Sequence, residues 1–210
     1  MVANVVEVSH PLIQDKLSRM RDRETGPEAF RRLMREMGML LAYEATRDLP
    51  VRPNSIETPM QPMQAPFVEG EKLCLAPVLR AGLGLTDGML ELIPAARVAH
   101  IGLYRDPKTL EAVEYAPAAS DLNDIDLAIV VDPMLATGAS GVAAVDRVQQ
   151  RGASSVRFVA LLAAPEGIAR LQEAHADVAI FVAAIDDRLN EKGYILPGLG
   201  DAGDRQFGAH

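Results

Sequence analysis

The sequence predicts an α/β domain with a mainly parallel central sheet flanked by helices. Three observations predict it. Residues 73–79 (LCLAPVL), 97–104 (RVAHIGLY), 127–132 (LAIVVD), 156–164 (VRFVALLAA) and 178–185 (VAIFVAAI) are nearly continuous apolar runs, as strands covered on both faces should be. Helical patterns at 85–92, 140–151 and 165–174 lie between several of them, and such alternation implies parallel strands joined by crossover helices. The length, 210 residues, suits a single domain, 1–210, with room for a sizeable core.

The elements follow in order. Pro11 suits a first helical turn after Ser9 and His10, and Leu12, Ile13, Leu17 and Met20 recur at helical spacing. A second helix is expected from Glu28 to about Ala45, with Thr25 and Glu28 in a capping-box pattern around Pro27. Its inward stripe is Phe30, Leu33, Met34, Met37 and Leu41, the methionines being core filler. Between residues 50 and 70 stand Pro50, Pro53, Pro59, Pro62 and Pro66, which exclude regular helix. The interspersed Ile56, Met60, Met63 and Phe67 favour an extended edge arm or hairpin, suited to packing on another subunit. Gly152 is a helix stop. The interval 106–126 lacks a clear helix and reads as an arm or lid.

Composition narrows the function. Net charge is −8, whereas a protein gripping nucleic acid through phosphates needs a basic face. Aromatics are 4% of residues and tryptophan is absent, so a base-stacking platform is not expected. A small anionic ligand remains compatible, because a few cations and backbone amides hold it locally. The one cysteine, Cys74, lies in a predicted strand and reads as a buried thiol. MVANVVEVSH has no basic leader pattern, and no later run reaches membrane-span length. No membrane partner and a reducing cytoplasm are expected. The four histidines (His10, His100, His175, His210) are scattered, with His100 in a predicted strand, and read as structural. Glu191 and Lys192 read as solvated charges.

The chemistry centres on IVVDPMLATGAS, residues 129–140. Ligands of open parallel sheets sit beyond the strands' carboxyl ends, where Asp132 is placed. Ala136, Thr137, Gly138, Ala139 and Ser140 form a small-residue loop ahead of a helix, and a helix N-terminus offers unpaired amides to a phosphate. The stretch alone is equally consistent with a helix cap beside a coincidental acid. It is not an ATP-type loop, which needs a Lys before its Ser or Thr. Near the C-terminus, GLGDAG matches GxGxxG, but only seven residues follow Gly203, so no βαβ unit surrounds it. A glycine-rich loop that reads a ligand through its backbone explains it better.

The stretch 129–140 resembles the phosphoribosyl pyrophosphate (PRPP) signature of type I phosphoribosyltransferases, and DPMLATG is similar to the uracil branch of that superfamily. GYILPGLGDAGDRQFG at 193–208 resembles the branch's uracil-binding end, APVLRAGLG at 76–84 its diphosphate loop, and GLYRDPKTLEAVEY at 102–115 its YR region. HPL, YEA, AAPEGI and LNEKGYI match too, so the resemblance spans nearly the whole chain. It implies a type I phosphoribosyltransferase-like fold with a β-arm and a C-terminal base-binding hood. It implies transfer of phosphoribose from PRPP to uracil, with Arg80, Arg105 and Asp132 catalytic. PRPP would meet Arg80, Arg105, Asp132, Pro133, Met134, Leu135, Ala136, Thr137, Gly138, Ala139, Ser140 and Asp201. Uracil would meet Ile195, Gly200, Asp201 and Ala202. Mg²⁺ is the implied cofactor, held mainly by PRPP and water, with no direct side-chain ligand. A homo-oligomer is implied, and GTP activates some relatives. Many members have a second acid where Pro133 stands, which leaves Asp132 alone. Ala139 replaces a frequent glycine, which the loop accommodates if Ala139 has negative φ. Two rivals stand beside this reading: a PRPP- or UMP-sensing RNA-binding regulator, and a transferase for another base.

Overall fold

The computed structural model describes residues 5–105, 112–116 and 121–208. The chain begins with β1 (Val5–Glu7), α1 (Pro11–Arg21) and α2 (Pro27–Ala45), followed by a hairpin of β2 (Arg52–Glu57) and β3 (Pro62–Phe67). Next come β4 (Leu73–Pro77), α3 (Leu83–Leu92), β5 (Arg97–Val98), β6 (Gly102–Arg105) and β7 (Ala112–Ala116). Then follow β8 (Leu127–Val131), β9 (Met134–Leu135), α4 (Ala139–Gln150), β10 (Val156–Ala163), α5 (Pro165–Ala174) and β11 (Ala179–Ile185). The chain closes with β12 (Arg188–Leu189), β13 (Ile195–Leu196) and α6 (Ala202–Phe207).

The central sheet runs β1-β11-β10-β8-β4-β5, with β9 also on β10, and its pairings are parallel. The continuous apolar runs have a direct cause. On β4, Leu73 and Leu75 face the core shared with α1, α2 and α3, while Cys74 and Ala76 face the core that includes Ala144, Val145 and Val148 of α4. On β8, Ile129 and Val131 take the first side and Ala128 and Val130 the second. Alternation survives geometrically, but both phases are buried. Burial pushes the Cys74 thiol up to about 11.

The expected stripe of α2 is buried: Phe30, Leu33, Met34, Met37 and Leu41. Each such side chain contributes roughly 1.5–3 kcal/mol by leaving water. The arm expected between residues 50 and 70 is the β2–β3 hairpin, antiparallel from Arg52↔Phe67 to Glu57↔Pro62. The Thr58 hydroxyl ties its turn, donating to Gln61 O (2.9 Å) and accepting from Gln61 N (3.0 Å). Met60, at the tip, is 90% exposed.

Four local expectations need correction. The N-terminal segment contains the parallel edge strand β1, paired through Val5↔Ile180; three half-solvated residues carry too little periodicity to announce it. The capping box at Thr25 does not form. Gly26 is the N-cap of α2 and Pro27 opens the helix, while the Thr25 hydroxyl donates to Arg19 O (2.6 Å). The run 97–104 is not one strand. Arg97 and Val98 extend the sheet on β4, Val78 and Ile101 form one bridge, and β6 leaves to pair antiparallel with β7. His100 therefore lies between strands. Of the interval read as an arm or lid, β7 is described; residues 106–111 and 117–120 lie outside the described residues. No described helix is long and apolar enough to cross a membrane.

Candidate active site

The carboxyl ends of β4 and β8 meet side by side. Val78 N donates to Val131 O (2.9 Å). Gly82 turns the chain back against the same carbonyl, and a Cβ there would overlap Val131 O. Asp132 is the next residue, half-buried, its N–H donating to Val159 O (3.1 Å). The sheet thus places the loop carrying Arg80 beside the end of β8. The Leu79–Arg80 peptide is cis, and the Arg80 side chain is exposed.

Beyond Asp132 the chain returns to the sheet. Pro133 O accepts from Leu161 N (2.9 Å) and Leu162 N (3.1 Å), and β9 pairs with Leu162 and Ala163. This anchors Met134 and Leu135 ahead of the loop Ala136–Gly138. Gly138 has φ +79°, a conformation that favours glycine. It is the N-cap of α4, and its carbonyl accepts from Val142 N (2.9 Å). Ala139 is the first residue of α4, where right-handed backbone leaves room for its methyl group. The amides from Ala139 onward therefore open a helix directly after Thr137 and Gly138. Underneath, Gly167 of α5 lies against the loop; a Cβ there would overlap the carbonyls of Leu135 and Ala136.

The C-terminal segment folds over from the side. In the β12–β13 pair, Leu189 lies opposite Ile195, and Ile195, Leu199 and Ala202 are buried in the core beneath. Gly198 and Gly200 both have positive φ (66° and 82°), so the turn follows a path closed to side chains. Asp201 caps α6, its carboxylate accepting from Asp204 N (2.9 Å). GLGDAG thus turns into a six-residue helix after a two-residue strand, not into a βαβ crossover.

Two arginines brace this segment, Arg21 from α1 and Arg205 from α6 itself. Arg21 at the end of α1 grips buried Asp186 through two nitrogens (2.7 and 2.5 Å) and also donates to Gly198 O (2.8 Å). Gly198 N donates back to Asp186 (2.8 Å). Arg205 lies over the Phe30 ring (4.6 Å) and donates to the carbonyls of Leu199 (2.8 Å), Asp22 (2.6 Å) and Met20. Burial lowers its pKa, and Asp22 opposes that shift. A cavity of about 460 Å³ lies between Arg21, Arg23, Gly26, Pro197 and Gly200.

Comparison with known proteins gives a uracil phosphoribosyltransferase family model matching residues 6–209. The chain belongs to the uracil phosphoribosyltransferase family. A Mesorhizobium japonicum protein named uracil phosphoribosyltransferase is 61% identical over 205 residues, 97% of this chain and 98% of its own. A Staphylococcus epidermidis protein of that name is 60% identical over 200 residues, 95% of each chain. A solved Aquifex aeolicus structure superposes with a TM-score of 0.94 at 37% identity, covering 98% of both chains. A hypoxanthine-guanine phosphoribosyltransferase structure from Bacillus anthracis matches at TM-score 0.51 and 16% identity, over 75% of this chain and 79% of that one. That likeness is one of fold, and it agrees with the parallel sheet.

Within this uracil phosphoribosyltransferase family member, the predicted residues fall into four groups: Arg80 after β4, Asp132–Ser140 after β8, Ile195 with Gly200–Ala202, and Arg105 at the end of β6. Ile101, just before β6, is joined to the Arg80 loop through Leu79 N to Ile101 O (2.8 Å). The bracing residues Arg21, Asp186 and Arg205 are absent from the sequence prediction. Asp186 carried a usable signal, since it follows an apolar strand as Asp132 does. Glu191 and Lys192 are exposed. His10 accepts from Leu12 N (3.2 Å) at the start of α1. His175 closes α5, with Nε2 3.2 Å from Asp146 Oδ1.

Proposed function

We propose that this protein transfers 5-phosphoribose from PRPP to N1 of uracil, giving UMP and diphosphate, a step of pyrimidine salvage. The observation that carries this reading is the meeting of the Arg80 loop, the Asp132–Ser140 stretch and the C-terminal hood at one end of the sheet. The bond from ribose C1 to diphosphate breaks, the bond from C1 to N1 forms, and the N1 proton is released. Positive charge grows on the ribose as the diphosphate departs. Asp132 orients the ribose hydroxyls and faces that charge. Pro133, Met134 and Leu135 lead into the phosphate cradle, where the amides and hydroxyls from Ala136 to Ser140 hold the 5-phosphate. Arg80 and Arg105 meet the diphosphate with planar, permanently charged forks, and Asp201 contacts PRPP from the hood.

Uracil lies against Ile195, Gly200, Asp201 and Ala202. Its edge alternates carbonyl acceptors with an N–H donor, which backbone groups can match. Cytosine presents an amino donor where uracil has an acceptor, and leaving a buried group unpaired costs about 1–3 kcal/mol. Mg²⁺, as a hard ion, would be held by substrate oxygens and water, and when bound would supply positive charge against the departing diphosphate. Among the described residues no group of three or more His, Cys, Asp and Glu side chains is placed to hold a metal. The β2–β3 hairpin, with Met60, Met63 and Phe67 exposed, is the surface on which a second copy packs.

The test is incubation with PRPP, Mg²⁺ and each nucleobase in turn, with and without GTP, followed by chromatography. UMP should form with uracil alone. No UMP from uracil, or equal use of another base, would overturn the reading.

A further inference from the structure

One buried side chain joins the Arg80 loop to the hood. Gln206 is 4% exposed. With its amide oriented to suit its neighbours, its nitrogen donates to Ala81 O (3.2 Å) and its oxygen accepts from Gly84 N (3.2 Å). It therefore spans the turn directly after Arg80. The fit depends on Gly84, where a Cβ would come within 2.8–2.9 Å of the Gln206 amide. The adjacent Phe207 sets its ring 5.7 Å from the Arg80 guanidinium, a cation–π distance. Upstream, a Cβ at Gly203 would touch Ala81 Cβ at 3.7 Å. From behind, Arg31 holds the Gln206 backbone carbonyl at 2.9 Å.

We propose that Gln206 and Phe207 are positioning residues that couple the two substrate sites. The inference rests on the site assignment above, with Arg80 on the diphosphate and Gly200–Ala202 on the base. α6 has six residues, so its start and its end cannot be displaced independently. Uracil ordering Gly200–Ala202 sets the place of Gln206, and Gln206 sets Ala81 and Gly84 on either side of the diphosphate turn. Diphosphate ordering that turn acts in reverse through the same bonds, because coupling between binding sites is reciprocal. The ligand that binds first fixes α6, and the second then loses less freedom.

Calorimetric titration of uracil, with and without Mg²⁺-diphosphate, tests this. Diphosphate carries no ribose, so nothing reacts. In the unmodified protein, diphosphate should tighten uracil binding about fivefold or more. In Gln206→Met, which keeps length and bulk but cannot bridge donor and acceptor, that ratio should fall to near one. Phe207 is exposed, so Phe207→Leu should fold normally and weaken diphosphate binding by about two- to fivefold. A ratio of one in the unmodified protein, an undiminished ratio in Gln206→Met, or full diphosphate affinity in Phe207→Leu would each overturn the proposal. Should the unmodified protein bind neither ligand, the site assignment itself falls.

Discussion

Arg21→Met should destabilise the protein and loosen the hood. Asp186 is 6% exposed, and its carboxylate is met by Arg21 at 2.7 and 2.5 Å and by Gly198 N at 2.8 Å. Methionine fills the space of the arginine stem but leaves the buried charge with one donor and Gly198 O without its Arg21 partner. Removing one partner of a buried pair costs about 3–5 kcal/mol. The Arg21 side chain is 25% exposed, so water reaches the gap and the low end, about 3 kcal/mol, applies. For a chain of this size each kcal/mol moves Tm by about 2–4 °C, giving a fall of roughly 6–12 °C. Thermal unfolding followed by circular dichroism reads this directly. Steady-state kinetics should show KM for uracil rising more than KM for PRPP, because Gly198 lies two residues before Gly200. The double variant Arg21→Met/Asp186→Leu should recover most of the stability, since apolar pairs replace buried ion pairs well. It should not recover uracil KM, because Gly198 still lacks its fixed partners. A Tm within about 2 °C of the parent in Arg21→Met would refute the reasoning.

Asp132→Asn should keep the fold and lower turnover by about 10²-fold or more, read from UMP formation. Ala202 is buried, so Ala202→Val should raise KM for uracil while KM for PRPP holds. In Gly167→Ala the new methyl meets the carbonyls of Leu135 and Ala136; KM for PRPP should rise and stability fall by about 1–3 kcal/mol, seen in kinetics and denaturant melts. The Cys74 thiol, held up to about 11 by burial, should resist a thiol-specific reagent at pH 8 in the folded protein and react fully in denaturant, because the thiolate is the reactive form.

The sheet was legible because burial on both faces forces β4, β8, β10 and β11 to be apolar at consecutive positions, a pattern few other structures require. The start of α4 was legible from its small-residue loop, and the hairpin from prolines that forbid helix. β1 was missed because it is a three-residue edge strand whose partner, β11, lies at the far end of the chain, so local pattern says little about it. Thr25 and Gly26 both suit an N-cap, and the pull of Arg19 O on the Thr25 hydroxyl decided between them. The residues proposed for the reaction centre were visible through motifs. The residues that hold it still were not, because Arg21, 165 positions from Asp186, looks like any arginine near a helix end until the chain is folded.

Those arginines explain how so slight a hood is held rigid enough for the proposed reading of a base. β12 and β13 have two residues each and α6 has six, too little regular structure to fix a loop by its own ladder. A loop that reads a base through backbone groups must nevertheless be rigid, since its donors and acceptors have no side-chain freedom with which to correct an error. Here the rigidity comes from outside the loop. Gly198 O, Leu199 O and Gln206 O accept from Arg21, Arg205 and Arg31 respectively, one from within the hood and two from the N-terminal helices. A guanidinium suits this task because its donors form a fixed planar fork, so one side chain can bond the hood and its support together. Arg205 does so between Leu199 O and Asp22 O. The N-terminal helices thereby set the shape of the loop proposed to select the base.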